Sequence, residues 1–100
     1  MNKTKNTDEI LRDIVSVIEP LLHPEKIILF GSRASGKAKK YSDFDIALQG
    51  SEMSTRKKRL AQDALDKKIG IFSADLINLD RTDKEFREQI LKKGRIIYER

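Results

Sequence analysis

The chain has 100 residues, a formal net charge of +5, ordinary apolar content at 38% and high charged content at 37%. That length supports one domain with one modest core, roughly two-thirds of the unfolded surface being buried, and leaves little room for a second domain or a deep substrate pocket. The absence of cysteine excludes disulfides, thiolate metal sites and cysteine nucleophiles, and no segment approaches the roughly 18 consecutive apolar residues of a membrane span.

The opening "MNKTKNTDEI" lacks the apolar region of a signal peptide, which predicts a cytoplasmic protein with a polar, frayed start over residues 1–6. A helix is predicted from Thr7, with Asn6 or Thr7 as cap and Asp8 and Glu9 in the first turn, where negative charge suits the dipole. Ile10, Leu11, Ile14, Val15, Ile18, Leu21 and Leu22 recur at helical spacing. Pro20 is expected to end or kink this helix, with Pro24 confirming the break. Ile27–Phe30 is a short apolar run closed by Gly31, which reads as a strand buried on both faces. Residues 32–42 are polar and basic and read as a loop holding at most a helical turn. Phe44, Ile46 and Leu48 then alternate with Asp43, Asp45 and Ala47, the pattern of a strand with one apolar and one acidic face.

After a turn at Gly50–Ser51, a second helix is predicted from about Thr55 to Lys68 with Leu60, Ala61, Ala64 and Leu65 inward, stopped by Gly70. "IFSADLINL", Ile71 to Leu79, reads as a third strand. Thr82 and Glu85 have capping-box spacing ahead of a third helix with Phe86, Ile90 and Leu91 inward and Gly94 at its end. "RIIYE" is a short final strand or a docked tail. The order α-β-β-α-β-α-(β) predicts a single α/β domain over residues 1–100, with helices packed on a small mixed sheet.

The chemistry gathers around the second strand. Asp43 and Asp45 are two apart on a strand and project to the same side. Two such charges about 4 Å apart cost roughly 4 kcal/mol at an effective dielectric near 20, so either one keeps a proton or a cation sits between them. Magnesium is the natural ion for oxygen-only ligands. Asp75 stands inside the apolar strand "SADLINL", where an acid is out of place unless it lines a site. If that strand neighbours the Asp43–Asp45 strand, three carboxylates converge as a two-metal phosphoryl-transfer site requires. Gly31 and Ser32 lie where a buried strand turns into a loop: glycine admits a phosphate close to the backbone, and the serine hydroxyl adds a donor. Arg33 and Lys37, with Lys39 and Lys40, give the following loop positive charge for a triphosphate.

Gly31-Ser32, ten residues, and then Asp43-Phe44-Asp45 resemble the signature of the DNA polymerase β-type nucleotidyltransferase superfamily. "IILF" before it, "RASG" after the serine, "SDFDIAL", "ADLINL" and "ILKKGRIIYE" resemble the minimal nucleotidyltransferases, over nearly the whole chain from about residue 8. The resemblance implies that Gly31 and Ser32 bind the nucleotide phosphates, that Asp43 and Asp45 hold magnesium ions, two of them, and that Asp75 is the third acid. The departure is in length: polymerases and antibiotic-modifying members carry a further substrate-binding domain. Members this small resemble the antitoxin half of paired systems whose other half is a helical HEPN-type protein. In that setting the family implies transfer of AMP from ATP to a tyrosine of the partner, as in a type VII-like toxin–antitoxin pair.

Two other readings fit the same residues: an antitoxin that neutralises its partner by contact alone, and a stand-alone enzyme that nucleotidylates a small molecule such as an aminoglycoside. The charge alone is compatible with an anionic partner of any kind, nucleic acid included, but nothing beyond charge favours nucleic acid. An oligomer is compatible with the sequence. The run Arg56–Arg59 reads as a solvated helix face, His23 as a loop residue, and Tyr41 and Tyr98 as packing aromatics. Part of the first helix's apolar face could be kept for a partner.

Overall fold

The computed structural model describes residues 6–100, so the polar start predicted for residues 1–6 lies, apart from Asn6, outside the described residues. The chain runs α1 (Thr7–Leu22), β1 (Lys26–Phe30), α2 (Ser32–Ser35), β2 (Phe44–Gln49), α3 (Thr55–Ile69), β3 (Ala74–Asn78), a 3-10 turn (Leu79–Arg81), α4 (Lys84–Lys93) and β4 (Arg95–Glu99).

Asn6 caps α1: its side-chain oxygen accepts from the Glu9 N–H at 2.9 Å, satisfying one of the amides that a helix start leaves open. Pro20 does not end the helix. It removes the N–H that would bond the Ser16 carbonyl, yet the last turn continues to Leu22, which is fully buried and held by the core. The helix stops at His23, in left-handed conformation with φ 45°, its N–H on the Glu19 carbonyl. His23 is thus a helix cap at the surface.

The four strands form a mixed sheet in the order β3-β2-β1-β4. β1 is antiparallel to both β2 and β4, and β2 and β3 are parallel, joined over α3. The sheet has two unlike faces. Under α1 and α3, Ile27, Leu29, Phe44, Ile46, Leu48 and Leu76 pack against Ile10, Ile14, Ile18 and Leu65 in one continuous core. On the other face Ile28 and Ala47 pack with Leu79 and with Ile90 of α4, flanked by Phe30 and Ile77. This second cluster is smaller, and it shares its face with Asp45.

Several expected positions differ. Leu60 is 53% exposed, because the inward stripe of α3 is Ala61, Leu65 and Ile69. Phe86 and Leu91 are 42% and 48% exposed, since α4 covers only a small part of the sheet and buries Ile90 alone. The third strand is shorter than Ile71–Leu79: Ile71 lies exposed in the turn after α3 and Leu79 opens the 3-10 turn. The cap of α4 is Asp83, whose carboxylate accepts from the Phe86 N–H at 2.9 Å, while Thr82 closes the 3-10 turn instead. Among the described residues, no helix is long and apolar enough to cross a membrane.

Pro20 leaves a testable mark. Replacing it by alanine restores a helical hydrogen bond and removes the ring's clash, against a smaller gain in freedom of the unfolded chain. Pro20→Ala is expected to stabilise the protein by about 1–2 kcal/mol, raising the thermal midpoint by roughly 4–8 °C per kcal/mol in a domain of this size. Thermal and urea unfolding of the two proteins check it; an unchanged or lowered midpoint would mean that the last turn of α1 is already strain-free.

Candidate active site

Asp45 is on β2 and Asp75 on β3, and the parallel register sets them directly beside one another. Neighbouring strands lie about 4.8 Å apart, so the two carboxylates face the same side at close range. On its other flank Asp45 pairs with Phe30 at the end of β1, and Gly31 follows. Gly31 has φ +75°, and a Cβ built there would lie 2.3 Å from Oδ2 of Asp45. A glycine is therefore required twice, by backbone conformation and by the carboxylate pressed against it.

Asp43 precedes β2 by one residue, so it is a loop residue held at the strand's mouth and not a member of the strand itself. The Phe44 N–H donates to the Ser73 carbonyl at 2.8 Å, which starts the β2–β3 ladder. The Ser73 hydroxyl donates to Oδ1 of Asp43. The acids thus form a row at one end of the sheet: Asp43 and Asp75 exposed, Asp45 half-buried between them and the Gly31 turn. Burial pushes the Asp45 carboxyl above its ordinary value of 3.8, and the charges of Asp75 and then Asp43 push it further.

Ser32 follows Gly31 at the head of α2, a single turn closed by Gly36, so the Gly-Ser turn stands beside the acids as the spacing predicts. Lys37 is exposed just past α2, its backbone N–H on the Ser32 carbonyl at 3.1 Å. Arg33 is turned elsewhere. Its Nε and Nη2 donate to the Ser42 carbonyl at 3.1 and 2.9 Å, and Nη2 also to the Lys40 carbonyl at 3.2 Å. Its guanidinium lies over the Phe44 ring at 4.3 Å and near the Phe72 ring at 5.8 Å. The donors expected on phosphate are committed to the loop that leads into Asp43. Ser73 is the site residue that inspection of the sequence missed; its signal was its place two residues before Asp75, which puts both on one face.

The donor set fits magnesium. It is oxygen only, and magnesium takes one or two carboxylates together with waters and phosphate oxygens. Among the described residues no three acids or imidazoles already surround one point, and Asp43 is engaged with Ser73. The remaining ligands would therefore come from a nucleotide and water. Repulsion on Asp45 is what a cation between these acids would relieve.

Residues 12–100 match the family described as polymerase beta, nucleotidyltransferase. The chain is 31% identical over 93 residues to a Haemophilus influenzae protein named as a probable protein adenylyltransferase, MntA, covering 92% of this chain and 82% of that protein. Several solved structures share the fold. A toxin–antitoxin with AMP-PNP superposes with TM-score 0.72 at 20% identity, covering 95% of this chain and 75% of the other. A complex of an MNT antitoxin with the tri-AMPylated HEPN toxin of Shewanella oneidensis gives TM-score 0.69 at 18% identity, over 92% and 71%.

The raised Asp45 carboxyl carries a stability consequence with a definite sign. The folded state holds the proton more tightly than the unfolded chain, so this group's contribution is fully present below pH 3.8 and is lost as pH rises through the raised folded value. At pH 7 the cost remains. Asp45→Asn is expected to raise the thermal midpoint of the metal-free protein at pH 7 by a few degrees, corresponding to at most about 1 kcal/mol because water screens the site. The advantage should vanish below pH 3.8. Calorimetry of both proteins at the two pH values decides it, and a lower midpoint for the variant at pH 7 would show Asp45 to be stabilising.

Proposed function

Because the chain belongs to the polymerase β nucleotidyltransferase family, we propose that it moves AMP from ATP to a tyrosine hydroxyl of a helical HEPN-type partner and thereby acts as that partner's antitoxin in the cytoplasm. The observation that carries the chemistry is the register that sets Asp45 beside Asp75, with Gly31 against Asp45. The partner class is supported by the relative named as a protein adenylyltransferase and by the solved pair in which the HEPN toxin bears AMP.

In this reading Gly31 lets the triphosphate approach the backbone, and the Ser32 hydroxyl donates to its oxygens. Lys37 adds positive charge from the rim of the turn. Asp43 and Asp45 would hold magnesium, which would neutralise phosphate charge and make the acceptor hydroxyl easier to deprotonate. Asp75, exposed beside Asp45, takes the proton of the acceptor hydroxyl. The acceptor oxygen forms a bond to the α-phosphorus in line with the bond to the bridging oxygen, which breaks and releases pyrophosphate. Asp43 and Asp75 stand exposed at the sheet's end, open to an acceptor carried by a second molecule.

The test is transfer of label from α-labelled ATP with magnesium, with and without the HEPN-type protein encoded nearby. Label should appear on that protein and fall by about 100-fold or more in Asp43→Asn, Asp45→Asn and Asp75→Asn. A stable complex without label would instead make the chain an antitoxin that works by contact. Label passing to an aminoglycoside in the absence of any second protein would make it a stand-alone enzyme.

A further inference from the structure

We infer that Arg33 and Ser73 are positioning residues that brace Asp43 from its two sides, and that Arg33 serves the reaction through Asp43 and not through phosphate. The inference rests on the nucleotidyltransfer reading for its meaning, but its geometry is independent of it.

Asp43 lies outside the regular ladder, as the last residue of the loop 36–43 just before the first residue of β2. Such a position has no sheet hydrogen bonds of its own to fix it. Here each peptide flanking Asp43 is pinned by another element. The carbonyl of Ser42, on the N-terminal side, accepts two bonds from Arg33. The N–H of Phe44, on the C-terminal side, donates to Ser73. The side chain between them accepts from the Ser73 hydroxyl.

The loop itself is tied at the same place. The Lys39 N–H donates to the Ser42 hydroxyl at 2.8 Å, and the Ser42 N–H donates to the Lys39 carbonyl at 3.1 Å. Arg33 then joins Ser42 to the Lys40 carbonyl. Only a planar guanidinium can do this while lying flat on an aromatic ring: it offers two donors to one carbonyl, a further bond to a second, and a π face to Phe44, which is wholly buried. A lysine keeps the charge and loses all three geometric features.

Groups that orient a metal ligand without touching the metal typically change metal affinity by about 10–100-fold when removed. The two assignments of Arg33 therefore separate cleanly. A phosphate contact would mostly survive as Arg33→Lys, and its loss in Arg33→Ala would raise the KM for ATP at saturating magnesium. A brace fails in Arg33→Lys as well, and the loss appears as a higher magnesium requirement.

The experiment uses the full chain with its HEPN-type partner for transfer, and the full chain alone for two readouts that need no turnover. These are amide hydrogen exchange over residues 36–44 and Mn2+ affinity by electron paramagnetic resonance with AMP-PNP present. For Arg33→Lys the expected result is faster exchange in that segment and Mn2+ binding weakened about 10–100-fold. The half-saturating magnesium concentration should rise in parallel, with the KM for ATP within about 3-fold of wild type once magnesium saturates. Ser73→Ala, which deletes one hydroxyl and leaves the Ser73 carbonyl bond intact, should weaken Mn2+ binding by a smaller factor, and Ser73→Thr should restore it. It also serves if the arginine variants fail to fold. Wild-type exchange and metal binding in Arg33→Lys, or wild-type metal binding in Ser73→Ala, would overturn the brace. If the wild-type chain transfers nothing, the nucleotidyltransfer reading fails while exchange and Mn2+ affinity still decide the brace.

Discussion

The parallel pairing of β2 with β3 sets two aspartates side by side on a sheet whose opposite face packs into the main core. Left alone, that pair is unfavourable: Asp45 is partly desolvated and faces two like charges. The arrangement persists because the strands beneath it are over-determined. Phe44, Ile46 and Leu48 point into the core under α1 and α3, and a slip of one residue would bury Asp45 and expose Phe44. Packing on one face thus fixes the position of charge on the other.

The same constraint explains why the turn after β1 must be Gly31. Antiparallel pairing brings the end of β1 level with Asp45, and the carboxylate fills the space a side chain would need. The Gly-Ser turn and the acid pair, ten residues apart along the chain, are adjacent through this register. The loop that separates them is polar, basic and short of core contacts. Its order comes from Arg33 lying on Phe44 and binding the carbonyls at its far end. The site is therefore rigid at Asp45 and Asp75, which belong to strands, and conditionally placed at Asp43, which does not.

Much of this was legible in the sequence because two periods are plain in it. The alternation through Phe44–Leu48 fixed which face carries acid, and the lone Asp75 in an apolar strand pointed to the same site. What escaped was set by tertiary context. Pro20 stays inside α1 because Leu22 is anchored in the core, which local propensity does not register. Leu60, Phe86 and Leu91 have helical spacing but lie beyond the area that the sheet and its covering helices can bury. Thr82 and Asp83 compete for the cap of α4, and the 3-10 turn before it takes the threonine. Arg33 follows the Gly-Ser turn and so reads as a phosphate contact. Its actual partners are carbonyls seven and nine residues on, and no periodicity announces them.

The two faces of the sheet also differ in completeness. The face under α1 and α3 carries one large core. The other is covered by the 3-10 turn and α4, and its apolar side chains remain partly in solvent: Phe86 packs edge-on to Phe30 at 5.8 Å and is 42% exposed, and Ile96 on the edge strand is 50% exposed. Acids and apolar residues therefore share an open surface. Among the described residues Asp43 and Asp75 stay exposed, so in the proposed reaction a group that reaches Asp75 needs shielding from water supplied by whatever carries it. An acceptor carried by a folded partner meets that demand better than a small free alcohol, because the partner's surface can exclude solvent from the acids at the same time as it presents the hydroxyl.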